Sequence, residues 1–168
     1  LSSSNKFYTH FSDHFTEFDP VKRAFTFTQK TMPQMAMAMT EDDNGKIWAI
    51  TYPNSGMISF DPKSRELKDF GFVHKENWRQ YQRSLVADDA GWIYFGLGNA
   101  SSQILAFDPN TGIARPMLPE DERKLGTAVV YRDLNGKVYG QALGSIDNEW
   151  YEFYKGEGKK IGQHTNRR

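Results

Sequence analysis

The segment Gly71–Arg83 gathers the densest chemistry of the 168-residue chain: His74, Lys75, Arg79 and Arg83 stand beside Trp78 and Tyr81. A guanidinium offers a fork of donors to a carboxylate or sulfate, and aromatic rings cover apolar sugar faces. The mixture therefore suits a polar or anionic carbohydrate-like ligand, with Trp78 and Arg83 as binding residues. His74, Arg79 and Tyr81 also have the makings of a catalytic group. A Tyr (Tyr81, or Tyr8) or a His takes a proton from carbon beside a carboxylate while Arg neutralises the developing charge, which is β-elimination. The plainer reading is a solvated loop whose Trp78 plugs a gap between elements.

Three shorter polar segments, Tyr52–Ser55, Gly98–Ser102 and Ser145–Asn148, add Tyr52, Asn54, Asn99 and Asn148 as ligand-binding candidates. Their alternative role is ordinary turn chemistry for Asn, Ser and Gly. His10 and His14 flank Asp13 across a short turn, an arrangement able to hold a divalent metal or move protons if both rings reach one rim. No third ligand completes it, and no other cofactor is indicated. The Met run 32–39 reads as strand packing rather than a metal–sulfur site. Gly-x-x-x-x-Gly-Lys-Ser/Thr, Gly-x-Ser-x-Gly and His-Glu-x-x-His are all absent.

The elements that must position these residues are set by a repeat. Phe-Asp-Pro occurs at 18–20, 60–62 and 107–109, with a degenerate copy at Phe153-Tyr154-Lys155, so the Phe residues are 42, 47 and 46 apart. An Asp/Asn/Gly turn followed by Ile/Val and Trp/Tyr recurs at 42–48, 88–94 and 132–139, its glycines 46 and 45 apart. Two motifs in phase mark one supersecondary unit per period. Turn residues set the reversals, and Pro ends a strand because it lacks an N–H for the ladder. Strands are expected near 35–41, 46–51, 57–61 and 66–70, then 84–88, 92–97, 103–107 and 112–116, then 126–131, 137–142, 149–154 and 158–161. Only three precede them, near 6–10, 14–18 and 24–28. Residues 76–83 are expected to form a helical turn or two.

Four short antiparallel strands per 40–50 residues is the arithmetic of a β-propeller blade, so the fold class is all-β, with about 3.75 blades in a single unit. The partial blade is 6–28 and the complete ones are 35–70, 84–116 and 126–161. A β-sandwich is the alternative, but it requires no repeating sequence. In an up-and-down blade of strands A to D, the A–B and C–D turns lie on one face. The B–C loops and D-to-A links lie on the other. The near-identical turns read as folding signals, and the variable loops as the functional rim.

The formal net charge is zero, from 21 basic and 21 acidic side chains, which argues against a charge-driven nucleic-acid binder. Cys is absent, and no apolar run is long enough for a membrane span. The first residues, Leu1-Ser2-Ser3-Ser4, read as the product of processing or truncation.

Residues 42–51 with 55–67 resemble bacterial propeller repeats. Similar repeats occur in extracellular sensor propellers of two-component systems and in streptogramin lyase-like proteins; oligogalacturonate and ulvan lyases share the general architecture. The resemblance covers residues 6–161 and implies a propeller of an exported, periplasmic or extracellular protein. It leaves three roles open: a carbohydrate-binding module, a carbon–oxygen lyase acting on a uronate polymer or a lactone, or an interaction or sensor scaffold. Closed propellers need about 4–8 blades. The remaining blades are therefore expected from a longer chain or a second copy, unless four close alone.

Overall fold

The computed structural model describes residues 1–144 and 148–162. The chain is all-β, and every pair of strands is antiparallel. The first sheet has three strands in order, β1 (Phe7–Phe11), β2 (His14–Asp19) and β3 (Ala24–Lys30). The second has four: β4 (Ala36–Glu41), β5 (Ile47–Thr51), β6 (Gly56–Asp61) and β7 (Glu66–Phe72). The third contains β8 (Tyr81–Ala87), β9 (Ile93–Asn99), β10 (Gln103–Asp108) and β11 (Ile113–Pro116), and β12 (Gly126–Thr127) adds to β9. The fourth comprises β13 (Val129–Arg132), β14 (Val138–Gln141), β15 (Trp150–Tyr154) and β16 (Glu157–Gly162). A 3₁₀ turn, Glu120–Glu122, is the one helical element among the described residues. The helical turn expected at 76–83 does not form: Tyr81 already begins β8, and Gln80 gives its amide to the Pro53 carbonyl instead of to a helical turn.

Local hydrogen bonds explain why the repeats fold alike. Asp42 Oδ1 accepts the amides of Asn44 and Lys46, and its Oδ2 accepts the Trp48 indole N–H at 2.9 Å. Asp88 does the same for Ala90, Trp92 and the Tyr94 hydroxyl. Each turn closes through glycine at positive φ, 81° at Gly45 and 91° at Gly91, where a side chain would be strained. Behind Phe60 and Phe107, Asp61 and Asp108 accept the amide two residues on, and the chain reverses.

The sheets stack in sequence, and the C-strand Phe of each later sheet enters the one before it. Phe60 meets Phe15 and Phe27 of the first sheet at 5.3 and 4.5 Å between ring centres. Phe107 meets Trp48 and Phe70 of the second, and Phe153 meets Tyr94 of the third. Three apolar clusters follow, one per junction. The B–C loops are laced to the D–A links: Tyr52 N–H donates to Met35 O, Val73 to Ser55 O and Ser102 to Lys124 O. On the opposite side, Asp88 of an A–B turn accepts the amide of Lys155 from a C–D turn.

Candidate functional site

Tyr52 leaves β5 into the B–C loop of the second sheet, and Tyr81 opens β8, the first strand of the third. The meander brings them to one rim, with ring centres 4.9 Å apart. The neighbouring Tyr81 first, and Arg79 after it, lower the pKa of the Tyr52 phenol from the ordinary tyrosine value. The Tyr81 phenol is raised, first by the same bond to Tyr52. Arg83, exposed on β8, adds a second cation whose field acts on Tyr81. Beneath the pair lies a buried polar footing. Ser55 donates to Gln80 Oε1, and Gln82 Nε2 donates to Ser55 Oγ at 2.6 Å. Gln82 Oε1 is buried with no hydrogen-bond partner among the described residues. Two tilted phenols in contact, with the guanidiniums of Arg79 and Arg83 acting on them, form an open aromatic and cationic platform. Asn54 is exposed in the same B–C loop as Tyr52.

The other candidates fall elsewhere. His74 turns from the rim to Glu76, 3.1 Å away, and Glu76 in turn holds Arg123 at 2.6 Å. Arg123 also donates to the Ser101 and Ser102 carbonyls and to Glu120. This clasp joins two D–A links, so the group His74, Arg79 and Tyr81 is divided between two sites. Trp78, half-buried, packs against the apolar core between the second and third sheets, as the plug reading expects. Asn148 is buried: it donates to Leu143 O and accepts from the Lys124 ammonium, so it staples its loop. Asn99 is exposed at the end of β9, opposite Gly126. Ser145, Ile146 and Asp147 lie outside the described residues, as do Arg167 and Arg168.

His10 and His14 do not meet. Phe11 pairs with His14 and His10 with Phe15, so the pleat sends the two imidazoles to opposite faces of the hairpin. His10 accepts the Ala36 amide at Nδ1, which leaves Nε2–H to donate to Thr31 Oγ1 at 2.8 Å. Burial keeps its pKa below the ordinary value. His14 Nδ1 lies 2.8 Å from Asp13. Among the described residues no group of three or more His, Asp or Glu is placed to hold a metal ion.

Sequence reasoning missed the Arg123–Glu76 clasp, whose partners are 47 residues apart, and the Ser55–Gln80–Gln82 footing. The alternation Gln80-Tyr81-Gln82, polar residues flanking a ring at strand spacing, was the one local sign of the latter.

No family model matches the chain, and no curated protein matches it. Solved structures do. The chain is similar to the extracellular domain of BT4673 from B. thetaiotaomicron, provisionally described in one crystal structure as a one-component system and in another as a hybrid two-component system. The TM-score is 0.59 and the identity 14% in both cases; the matches cover 99% and 98% of this chain but 23% and 22% of those. The chain thus spans under a quarter of the length of these neighbours, and at that identity the likeness is one of fold. No helix among the described residues is long and apolar enough to cross a membrane.

Proposed function

We propose that this chain is a run of β-propeller blades from an exported bacterial sensor-type protein, and that its loop rim binds a polar, anionic carbohydrate-like ligand. The propeller reading is supported by the in-phase repeat, by sheets that stack in sequence, and by loops sorted onto two faces. Export and a sensor role are supported by the likeness to extracellular domains of a one- or hybrid two-component system. Further blades belong to the same longer protein in this reading, the outer face of the first sheet being open to one.

The observation that carries the ligand reading is the contact of the Tyr52 and Tyr81 rings within the field of Arg79 and Arg83. Rings take the apolar face of a sugar and the two guanidiniums its carboxylate or sulfate. A lyase is the second reading, favoured by the lowered Tyr52 phenol next to Arg79, since a phenol more easily ionised and held beside a cation is a fit base for elimination.

Titrating the chain with oligogalacturonate tests both. The Arg79→Ala/Arg83→Ala double variant should weaken binding at least tenfold and Lys63→Ala should leave it unchanged; equal affinities for all three proteins would sink the rim as the site. Appearance of an unsaturated product, abolished by Tyr52→Phe with binding retained, would select the lyase. Binding without product selects the module.

A further inference from the structure

Arg79 is exposed on residues 73–80, the link between the second and third sheets, which forms no strand or helix. A long side chain on such a segment has backbone and rotamer freedom to lose before it can serve a ligand. The link is nevertheless pinned at both ends to the B–C loop of the second sheet. Val73 N–H donates to Ser55 O at 3.0 Å, and Gln80 N–H donates to Pro53 O at 2.9 Å. The buried Gln80 side chain also accepts from Ser55 and donates to His74 O at 3.2 Å, so the link closes on itself.

Midway along, Glu76 is held from a different part of the molecule. Arg123, on the link between the third and fourth sheets, donates Nη2 to Glu76 Oε1 at 2.6 Å, and His74 Nε2 lies 3.1 Å from the same oxygen. Arg123 is itself fixed by the carbonyls of Ser101 and Ser102 at 3.2 and 2.9 Å and by Glu120 at 3.0 Å. A guanidinium fork spent on four acceptors has little freedom left. Its side chain is 9% exposed and that of Glu76 15%, so water and salt screen the pair far less than a surface pair. Only Asn77, Trp78 and Arg79 separate Glu76 from Gln80, and Trp78 is packed on the core. Arg79 therefore stands on a short span between two anchors, one of them supplied by Arg123.

We propose that Arg123 is a positioning residue for the rim site: by holding Glu76 it fixes the 73–80 link and so keeps Arg79 beside the Tyr52 and Tyr81 rings. The ordering of Arg79 is then complete before a ligand arrives, and binding does not have to supply it. The role of Arg123 is indirect. Its donors are all engaged away from the two rings, and it acts on the site through Glu76 and the span that follows.

The test is read first at Tyr52 without ligand, by NMR titration of isotopically labelled tyrosine in the intact chain. The Tyr52 phenol is lowered first by Tyr81 and then by Arg79. In Arg123→Gln, and equally in Glu76→Ala, its titration should move up toward the ordinary tyrosine value. In an Arg79→Ala background neither substitution should move it further, because the group through which they act is gone. Affinity for oligogalacturonate should fall about fivefold in each variant, and again no further once Arg79 is Ala. Glu76→Ala leaves the Arg123 bonds to Ser101 and Ser102 in place, which separates loss of the clasp from a loosened B–C loop. A Tyr52 titration unchanged by both substitutions overturns the proposal. So does a shift that persists in full in the Arg79→Ala background, since the clasp would then act on the loop as a whole and not on Arg79. The inference rests on the rim reading for the use made of Arg79. If the native chain does not bind oligogalacturonate that reading fails, while the ligand-free titration still decides the part played by Arg123.

Discussion

The first and third sheets share the Phe-Asp-Pro motif and end in opposite conditions. In the third, Phe107 is fully buried between Trp48 and Phe70, and Tyr94 receives Phe153 on the other side. β12 and the residue after it lie so close on β9 that a Cβ on Gly96 would lie 2.3 Å from the Ala128 carbonyl oxygen, and one on Gly98 2.0 Å from that of Gly126. In the first sheet the equivalent ring, Phe18, has only Phe25 of its own sheet as aromatic partner among the described residues, at 5.3 Å. Phe7 pairs with Phe18 and Phe18 with Phe25, yet Phe7 is 49% and Phe25 65% exposed. Turn chemistry is thus enough to make a sheet. Burying its aromatic stripe takes a neighbour.

Truncating the two equivalent rings tests this most sharply. Phe107→Ala removes a fully enclosed ring and should cost about 4 kcal/mol, the range of large core truncations. Phe18→Ala should cost about 1 kcal/mol, because its ring is already part-hydrated. Denaturant unfolding of both variants measures the difference, and equal losses would mean that the outer face of the first sheet is covered after all. A smaller break comes from Asp88→Ala. Its carboxylate serves the Tyr94 hydroxyl and the Lys155 amide as well as its own turn, so removal strips buried donors on both sides of a sheet junction. A loss of about 2–3 kcal/mol is expected, read as a lowered unfolding midpoint. Asp19, which follows Phe18 as Asp108 follows Phe107, has its partners Val21, Lys22 and Lys6 within or beside the first sheet among the described residues, and its removal should matter less.

What was legible in the sequence follows the reach of each interaction. Asp42 to Lys46 and Asp88 to Trp92 are bonds within one turn, so the strands they start were placed within a residue or so. Arg79 and Tyr81 are neighbours in the chain, and the alternation of faces in a meander was enough to bring Tyr52 to them. His10 and His14 were misjudged because their side depends on pleat parity, which a two-residue turn sets against a shared rim. Asn148 was misjudged because one of its partners, the Lys124 ammonium, lies 24 residues away in a link that no local pattern announces. His74 was drawn away by Glu76, two residues on, whose own orientation is fixed by the distant Arg123.

The junction between the first and second sheets offers the finest test, since there the first sheet does have a neighbour. Glu17 is almost fully buried and accepts from Thr26, Tyr8 and Arg65, the last reaching across from the second sheet at 2.9 Å. Burial alone would raise its pKa, but those three hydrogen bonds and the guanidinium charge outweigh it, and the carboxyl is held below its ordinary value. The Tyr8 phenol is pushed the other way, up to about 12, by burial and by its bond to Glu17. A carboxyl whose folded pKa is depressed binds fewer protons folded than unfolded. Its stabilisation is therefore complete above the unfolded value of about 4.3 and is lost as pH falls through the lower folded one. The unfolding midpoint of the native chain should drop through that acid window, and Glu17→Gln should lower it at neutral pH while flattening the drop. If the two proteins titrate in parallel, Glu17 does not tie the first sheet to the second, and the contrast between its inner and outer faces loses its electrostatic half.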